Sequence, residues 1–494
     1  MSEQVASESA VSRKASRPPE KRESLYADWV KVHPKAVKGP IRRIKWIALV
    51  VFLAIYYLVP WLRWDRGPGA PDQAMLLSMD EGRAYILGLE IWAQEIYYLT
   101  GLLVLAALGL FFVTSLFGRI WCGYACPQTV WTDLFLAVER FVEGDRNARI
   151  RLDQAPLSLA KLAKRGVKHG IWIVIAVLTG GAWVFYFWDA PTIARELLTG
   201  DAGTGLYALI FLFTATTYLL AGWAREQVCT YMCPWPRFQS AMFDEDTLIV
   251  TYERWRGEPR GSHKAGAGWE GRGDCVDCNQ CVAVCPTGID IRDGSQLECI
   301  GCGLCIDACN AVMAKVGRPA NLITFDTQRA QDAIAKGRER PRFQLVRLRT
   351  AVYLAIMAFV GIAMLIGLAT RSPVEMNALH ERNPLFVTLS DGSIRNAYTL
   401  RVLNKRLEER ELVLALEGLP GAVLTLPGHP ARPDGRVALR AKPDEVMTLQ
   451  AFVKAPRDIV RESQEIRLVL RGEKGQVEAE RAAPFKGPPG GPSR

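Results

Sequence analysis

Long apolar runs are the dominant pattern along this chain. A helix needs about 20 mainly apolar residues to cross a bilayer, with a range of roughly 17 to 25. Five runs meet that length: Trp46–Leu62, Ile96–Phe117, Ile171–Trp188, Leu206–Trp223 and Ala351–Ala369. Trp and Tyr residues lie at the edges of these runs, as in the aromatic belts of membrane helices. The pattern predicts an α-helical membrane bundle of five transmembrane helices.

The pattern changes near residue 384 to short runs in which apolar and polar residues alternate. These runs are Leu385–Leu389, Tyr398–Leu403, Glu411–Leu416, Ala422–Leu426, Arg436–Arg440, Met447–Val453, Glu465–Leu470 and Gln476–Glu480. Gly, Pro, Asp and Asn punctuate the gaps, which is typical of strands joined by turns. Many short strands at this spacing predict a β-sandwich. The region has no cysteine, so no disulfide is predicted between its sheets.

The two patterns together predict a multi-domain protein. In order, the predicted parts are a disordered cytoplasmic tail (1–43), a membrane domain with four transmembrane helices (44–256), a cysteine-rich domain (257–318), a basic arm on the membrane surface (319–350), the fifth transmembrane helix (351–370), the sandwich (371–484) and a second tail (485–494). The Gly-rich, charged stretch at 257–273 is predicted to be a flexible tether.

The distribution of charged residues predicts how the chain is oriented in the membrane. The formal net charge is +10, but the basic residues flank apolar runs and form no patch interleaved with aromatic residues, which favours a membrane surface over nucleic acid. Basic residues are concentrated before the first span and in the 118–170 loop, whereas the first and third loops balance Arg against Asp and Glu. The positive-inside rule therefore predicts that the N-terminus, the 118–170 loop and the cysteine-rich domain are cytoplasmic. The sandwich is then periplasmic.

Eight of the twelve cysteines form two successive C-x2-C-x2-C-x3-C runs. The runs are Cys275, Cys278, Cys281 and Cys285, followed by Pro286, and then Cys299, Cys302, Cys305 and Cys309. This is the spacing of a two-cluster ferredoxin, in which the fourth cysteine of each run ligates the other run's cluster. One [4Fe–4S] cube is thus assigned to Cys275, Cys278, Cys281 and Cys309, and the other to Cys285, Cys299, Cys302 and Cys305. Zinc knuckles are the alternative, but they need no crossed fourth cysteine.

The other four cysteines form two C-x3-C-P motifs, each directly after a membrane span. They are Cys122 and Cys126 after the second span, and Cys229 and Cys233 after the fourth. If the span's α-helix continues through the motif, positions i and i+4 place both thiols on one face. The proline then breaks the helix just after the second thiol. Since each motif follows two spans, the membrane part is interpreted as a duplicated unit with a site between the repeats.

These four thiols are the predicted catalytic and metal-binding group, with Met232 as an additional ligand. Soft sulfur ligands suit Cu(I), and a thiol redox relay is the alternative. Arg119 and Arg225 are predicted to lower the thiol pKa values by favouring the thiolates. Structural disulfides are disfavoured in a reducing cytoplasm, and buried free cysteines that only fill space are the remaining interpretation.

Two acidic residues, Glu90 and Glu95, lie just before the second span. Acidic residues at membrane depth are functional candidates, here for a quinone or proton role. So close to the end of a span, they can equally reach water among the lipid headgroups, and the sequence leaves both alternatives open.

At these motifs the chain resembles the FixG/RdxA/CcoG family, the accessory proteins of cbb-type cytochrome c oxidase. The resemblance covers nearly the whole length, through the 69–73 and 97–103 segments, the 118–133 string, the ferredoxin runs and Arg395-Asn396-Ala-Tyr398. It implies a protein of the bacterial inner membrane that reduces Cu(II) to Cu(I) during oxidase maturation, that is, a cupric reductase. It also implies that the sandwich is immunoglobulin-like and docks partners such as oxidase assembly components or copper chaperones.

Two other functions stay open at this point. One is a non-enzymatic copper-binding assembly factor, and the other is a quinol-linked electron conduit for a partner complex. The sequence carries no flavin or nicotinamide fingerprint, so it does not name the electron donor. It also leaves open whether the protein is a homo-oligomer.

Crossed ligation makes the first testable prediction. The intact chain should carry at least about eight irons in two cubes, and Cys285→Ser should damage the cube assigned to Cys299, Cys302 and Cys305. Iron analysis and the low-temperature EPR spectrum of the reduced protein check this. About four irons in the parent protein, or bound zinc in their place, would contradict the assignment.

The predicted orientation can be checked with reporter fusions. Alkaline phosphatase should be active when fused after residue 371 or within 189–205, and inactive within 257–273, because the enzyme folds only in the periplasm. The opposite pattern would place the cysteine-rich domain outside the cytoplasm.

Overall fold

A computed structural model describes residues 31–67, 70–263, 268–406, 408–443 and 445–489. Its α-helices are α1 (Pro40–Leu58), α2 (Ile96–Phe117), α3 (Pro127–Glu143), α4 (Arg146–Gln154), α5 (Leu159–Val184), α6 (Ala190–Thr199), α7 (Thr204–Thr217), α8 (Trp235–Met242), α9 (Arg254–Gly257), α10 (Gln280–Val284), α11 (Leu304–Lys315), α12 (Gln328–Ala335) and α13 (Leu348–Ala369). Most of the first predicted tail, the end of the second, Gly69 and residues 264–267 lie outside the described residues.

The strands form four sheets in the described part of the chain. They are β1 (Met75–Ser78), β2 (Arg83–Ile86), β3 (Leu89–Trp92), β4 (Ile249–Tyr252), β5 (Ile323–Asp326), β6 (Val374–His380), β7 (Val387–Thr388), β8 (Ile394–Asn404), β9 (Arg410–Glu417), β10 (Val423–Thr425), β11 (Val437–Ala441), β12 (Glu445–Ala455), β13 (Ser463–Gly472) and β14 (Val477–Lys486). The sandwich consists of the sheets β10-β12-β8-β6, with β7 beside β8, and β11-β9-β13-β14.

Five helical segments of the described chain are long and apolar enough to cross a membrane. They are Pro40–Trp61, Ala93–Phe117, Leu159–Val184, Thr204–Ala224 and Leu348–Ala369. The first and third begin earlier than their apolar runs, because basic residues extend each helix beyond the apolar stretch. The multi-domain fold with a five-helix membrane bundle is therefore as the sequence predicts.

The cysteine-rich domain is held against the start of α1. The carboxylate of Asp307 in α11 accepts hydrogen bonds from the backbone N–H groups of Ile41 (3.3 Å) and Arg42 (2.7 Å). A helix N-terminus carries partial positive charge and unpaired donors, so a carboxylate stabilises it. The guanidinium of Arg42 in turn pairs with Asp133 of α3 at 2.7 Å, and both side chains are buried. One chain of contacts thus joins α11, α1 and α3.

The predicted bounds of the cysteine-rich domain are too narrow. Strand β4 comes from the predicted membrane domain and pairs antiparallel with β5 from the predicted arm. The expected tether is also folded at both ends, where Gly261 N donates to Cys275 O (3.1 Å) and Gly273 N donates to Pro259 O (3.0 Å). Packing around the cysteines recruits these segments, so the compact unit, named here the dicluster unit, spans 249–335.

The sequence did not predict the elements at the opposite end of the bundle. Strands β1, β2 and β3 form a small antiparallel sheet between the first two spans, and α6 lies between the third and fourth. The two loops contact each other, since Leu77 N donates to Tyr186 O at 2.8 Å and the buried Gln73 side chain donates to Phe185 O at 2.7 Å. These strands are only four residues long, too short for a clear alternating pattern.

The sandwich forms as predicted, with one additional strand. Strand β6 directly follows the fifth span and pairs with β8, while the first predicted run shortens to the two residues of β7. The buried Tyr398 donates a hydrogen bond from its hydroxyl to Pro484 O at 2.8 Å, which links the two sheets. Asn396 makes a second link to Lys486 O, also at 2.8 Å.

Glu95 joins the sandwich to the membrane bundle. Its carboxylate is buried and pairs with Arg371, at 2.7 Å, and with Lys405, which also pairs with Glu375 at 2.6 Å. Arg371 follows the fifth span and Lys405 follows β8, so three segments meet at one carboxylate. This position gives Glu95 a structural role between the two domains.

Removing that carboxylate should loosen the sandwich. In Glu95→Ala the buried ammonium of Lys405 loses one partner, and breaking a buried ion pair costs about 3–5 kcal/mol. Chemical denaturation of the intact protein in detergent measures this change. The control is Glu411→Ala, which removes the exposed pair with Arg440 and should change stability by no more than about 0.5 kcal/mol. Equal losses in both variants would contradict the assigned role.

Candidate functional site

The eight ferredoxin-type cysteines fall into two groups in space. Cys309 lies close enough to Cys275, Cys278 and Cys281 to interact electrostatically with each. Cys285 has the same relation to Cys299, Cys302 and Cys305. These are the crossed groups that the spacing predicts, named here the distal set (Cys275, Cys278, Cys281, Cys309) and the proximal set (Cys285, Cys299, Cys302, Cys305).

The backbone around both sets fits iron–sulfur cubes. Gly301 and Gly303 flank Cys302 with φ values of 66° and 69°. Asp277 and Asn279 flank Cys278 in the same way, with φ values of 51° and 53°. Asp and Asn are among the few non-Gly residues that enter this left-handed region. The two runs therefore make equivalent tight turns at their second cysteine, although the first run contains no glycine at these positions.

Arg292 holds the turn of the distal set, a role that the sequence analysis missed. Its buried guanidinium donates to Asp277 Oδ1 at 2.6 Å and to Asn279 Oδ1, and it also pairs with Asp290 at 2.6 Å. Within this set the Cys278 residue is exposed, whereas Cys275, Cys281 and Cys309 are buried. The distal set therefore approaches the protein surface at Cys278.

The two C-x3-C-P motifs are π-helical turns, so the prediction of a continuous α-helix was wrong. The turns span Trp121–Ala125 and Val228–Met232. Each closes with an i to i+5 hydrogen bond, from Cys126 N to Trp121 O at 2.9 Å and from Cys233 N to Val228 O at 2.8 Å. Turns of π-helix are rare in proteins overall, but those that do occur often lie at functional sites.

The preceding spans end in the same way before both motifs. Gly118 has φ 59° and ψ −128°, and Arg225 has φ 43° and ψ −114°. Each lies four residues before the first cysteine of its motif. A positive φ at a non-Gly residue costs about 1–3 kcal/mol and persists only where the surroundings hold it. The buried Arg225 side chain is held by Glu139 at 3.0 Å and by Gly222 O at 2.8 Å.

The prolines start new helices. Pro127 is the first residue of α3, and Pro234 directly precedes α8. Proline fits the first helical turn because its missing N–H has no partner there. Each proline thus ends the π-turn at its second cysteine and redirects the chain.

The structure brings the four thiols of the two motifs together. Cys126 interacts electrostatically with Cys122, Cys229 and Cys233. Burial raises the pKa of the Cys122 and Cys229 thiols to about 12, and Arg119 opposes this at Cys122 only in part. Arg119 thus lowers the Cys122 pKa as predicted, but burial outweighs it, and Arg225 is paired with Glu139.

One edge of this four-thiol group is open. Cys233 is exposed and Met232 is 61% exposed. Cys122, in contrast, is covered by Gln239, whose Oε1 lies 3.2 Å from the thiol sulfur and which is itself fully buried. In the described residues, no three His, Cys, Asp or Glu side chains converge on a point as the ligands of one metal ion do.

The four-thiol group lies directly against the proximal set. The Tyr124 hydroxyl donates to Cys302 O at 3.0 Å, and Arg119 donates to Cys299 O at 3.0 Å. A Cβ at Gly123 would lie only 3.0 Å from the Cα of Cys302, so any side chain there would force this backbone contact to open by a few tenths of an ångström. Cys122 and Cys229 also pack against the apolar cluster that contains Cys302. The sequence placed both cysteine groups at one end of the bundle but gave no signal for this contact.

Three family models match the chain. A 4Fe-4S binding domain matches residues 99–142, a 4Fe-4S dicluster domain matches 224–328, and the Ig-like fold at the C-terminus of FixG matches 364–488. Among solved structures, a FixG-related protein from Vibrio parahaemolyticus is 23% identical and covers 24% of this chain and 97% of that one, with a TM-score of 0.20.

Curated relatives match over most of the length. The nitrogen fixation protein FixG of Rhizobium meliloti is 51% identical, with 89% of each chain covered. Protein RdxB of Cereibacter sphaeroides is 50% identical over 87% of this chain and 90% of its own, and protein RdxA of the same organism is 51% identical over 81% and 85%. The chain therefore belongs to the FixG/RdxA family and is an iron–sulfur electron-transfer protein with a membrane-helix bundle.

Proposed function

We propose that this protein is a cupric reductase of the bacterial inner membrane, in which electrons leave through the four-thiol group and convert Cu(II) to Cu(I). The observation that carries the proposal is the direct contact between the proximal set and the C-x3-C-P turns, at Gly123 and Tyr124. Two [4Fe–4S] cubes supply one-electron transfer when they are bound. Reduction of Cu(II) to Cu(I) also takes one electron, so copper can accept the electrons that the cubes deliver one at a time.

The chain's own residues set a direction for this transfer. Cys278 makes the distal set accessible from outside, whereas Tyr124 and Arg119 fix the proximal set to the membrane bundle. An external donor would therefore engage the dicluster unit near Cys278. The acceptor would then be used at the opposite, membrane-facing end of the unit.

Copper chemistry supports the choice of acceptor. Thiolate and thioether ligands favour Cu(I) over Cu(II), and the predicted ligands Cys122, Cys126, Cys229, Cys233 and Met232 are all sulfur. The open edge at Cys233 and Met232 is where an incoming ion would first meet them. Copper binding there would require the thiols to lose their protons. Burial opposes that loss at Cys122 and Cys229, because it raises the pKa of both thiols to about 12.

The wider setting follows from resemblance and charge. The positive-inside rule orients the dicluster unit to the cytoplasm and the sandwich to the periplasm. There the sandwich, anchored through Glu95, would dock components of cbb-type oxidase assembly or a copper chaperone. A copper-binding assembly factor without reductase activity remains the alternative of another class.

A quinol-linked conduit is a second candidate, favoured by one cavity. A space of about 360 Å³ lies between α1, α3, α5 and α7 and is largely apolar. Its lining includes Tyr56, Trp131 and Phe213, and it also includes Pro127, the residue after Cys126. A lipid-soluble quinol in this cavity would be close to the four-thiol group.

A short-chain quinol tests this candidate. It should reduce the purified protein with its clusters bound, and the reduction should be lost in Trp131→Ala.

The reductase proposal makes a direct prediction for two single variants. Cys126→Ser and Cys233→Ser should lower the rate of Cu(I) formation by at least about tenfold, since loss of a supporting group alone commonly costs 10- to 100-fold at a metal site. The iron held by the two cubes of the dicluster unit, about eight per chain, should be unchanged. A Cu(I)-specific chelator measures the rate after chemical reduction of the intact protein.

Ala125→Ser provides the matched control, because it changes a neighbouring residue in the same π-turn and removes no thiol. It should reduce Cu(II) as fast as the parent protein. If both cysteine variants also match the parent, the four-thiol group is not the exit, and Cu(II) must be reduced at the dicluster unit itself.

A further inference from the structure

The four-thiol group has the ligand set of a resident cofactor. We propose that Cys122, Cys126, Cys229 and Cys233 together hold a third iron–sulfur cluster, in addition to the two of the dicluster unit. This inference goes beyond the proposed function, because it does not depend on copper being the acceptor. If it holds, copper is a substrate at the open edge near Met232 and is not ligated by all four thiols.

The first support is the equivalence of the two turns. Gly118 and Arg225 share an unusual backbone conformation, and both motifs close with the same π-type hydrogen bond. Two equivalent turns, one after the second span and one after the fourth, each present two cysteines and bring four thiols into one group. Arg225 keeps this conformation despite its side chain, held by the buried Glu139. Packing alone does not require such a match.

The second support is the cysteine count within the matched 4Fe-4S binding domain. That match covers residues 99–142 and contains only two cysteines, Cys122 and Cys126. A [2Fe–2S] or [4Fe–4S] cluster needs four cysteine ligands. The remaining two must come from elsewhere in the fold, and the structure brings Cys229 and Cys233 to that place.

The third support is the chemistry of the ligands. Sets of four sulfur ligands bind zinc or iron–sulfur clusters. Zinc has no redox chemistry, so a zinc site here would make no use of the nearby proximal set. Gly123 and Tyr124 hold that set in contact with this turn. An iron–sulfur cluster can exchange electrons with the proximal set, so it is the four-sulfur centre that suits this contact.

The fourth support is the charge around the thiols. Four thiolates and their irons carry net negative charge, which needs nearby cations in a buried site. Two buried cations lie beside the group: Arg119 next to Cys122, and Lys45 next to Cys229. Arg119 also donates to Cys299 O in the proximal set, so the same cation adjoins both groups. Lys45 also pairs with Asp133 at 3.7 Å, so its charge is shared between that carboxylate and the thiol of Cys229.

Metal analysis of the full-length protein tests the proposal. The parent, purified without oxygen in detergent, should hold about ten or about twelve irons per chain with matching sulfide, instead of the about eight of two cubes. Its reduced EPR spectrum should show a third spin system. These two measurements need no variant, so they stand even if a substituted protein misfolds.

Variants then assign the additional cluster. Cys126→Ser and Cys229→Ser should return iron to about eight per chain and remove the third signal alone, whereas Ala125→Ser should keep the parent's content. About eight irons in the parent with no third signal, or zinc or copper bound at these thiols, would overturn the proposal. Cu(II) reduction is measured separately. A parent protein that does not reduce Cu(II) would contradict the proposed function, whereas the iron content alone decides this inference.

Discussion

The contact between the dicluster unit and the end of the bundle that carries the C-x3-C-P turns is the constraint on which this structure depends. Electron transfer requires the cysteine groups to be held close together and rigid. Asp307 achieves it by accepting hydrogen bonds from the N-terminus of α1, and Arg42 extends the connection to Asp133 in α3. A Cβ at Gly39 would lie 2.2 Å from the Asp307 carboxylate, so the approach of α1 also depends on a glycine.

Rigid placement of the first C-x3-C-P turn follows from that docking. Tyr124 and Arg119 bind backbone carbonyls of the proximal set, so their interactions do not depend on which group the thiols carry. Gly123 permits backbone contact with Cys302 that any side chain would force open by a few tenths of an ångström. The cysteines of the membrane bundle and of the dicluster unit therefore form one continuous site, although they belong to different predicted domains.

The opposite end of the bundle is organised by a different interaction. Glu95 pairs with the partly exposed Arg371 and with the buried ammonium of Lys405, and the small β1–β3 sheet packs beside it. This end contains no cysteine. The ion pairs of Glu95 hold the sandwich against this end of the spans, away from the cysteine groups at the other end.

The sequence by itself determined the features that depend on local spacing. Apolar runs of sufficient length gave the five spans, alternation gave most of the sandwich strands, and the cysteine spacing gave the two crossed sets. It did not give the π-turns, because helical continuation past Phe117 and Ala224 is broken by backbone conformations at Gly118 and Arg225 that packing imposes. It also assigned β4 and β5 to different domains, since their pairing joins residues more than 70 positions apart in the chain. Only the tertiary structure decided that four thiols from two separate motifs meet beside the proximal set, because burial and long-range hydrogen bonds, not sequence proximity, bring them there.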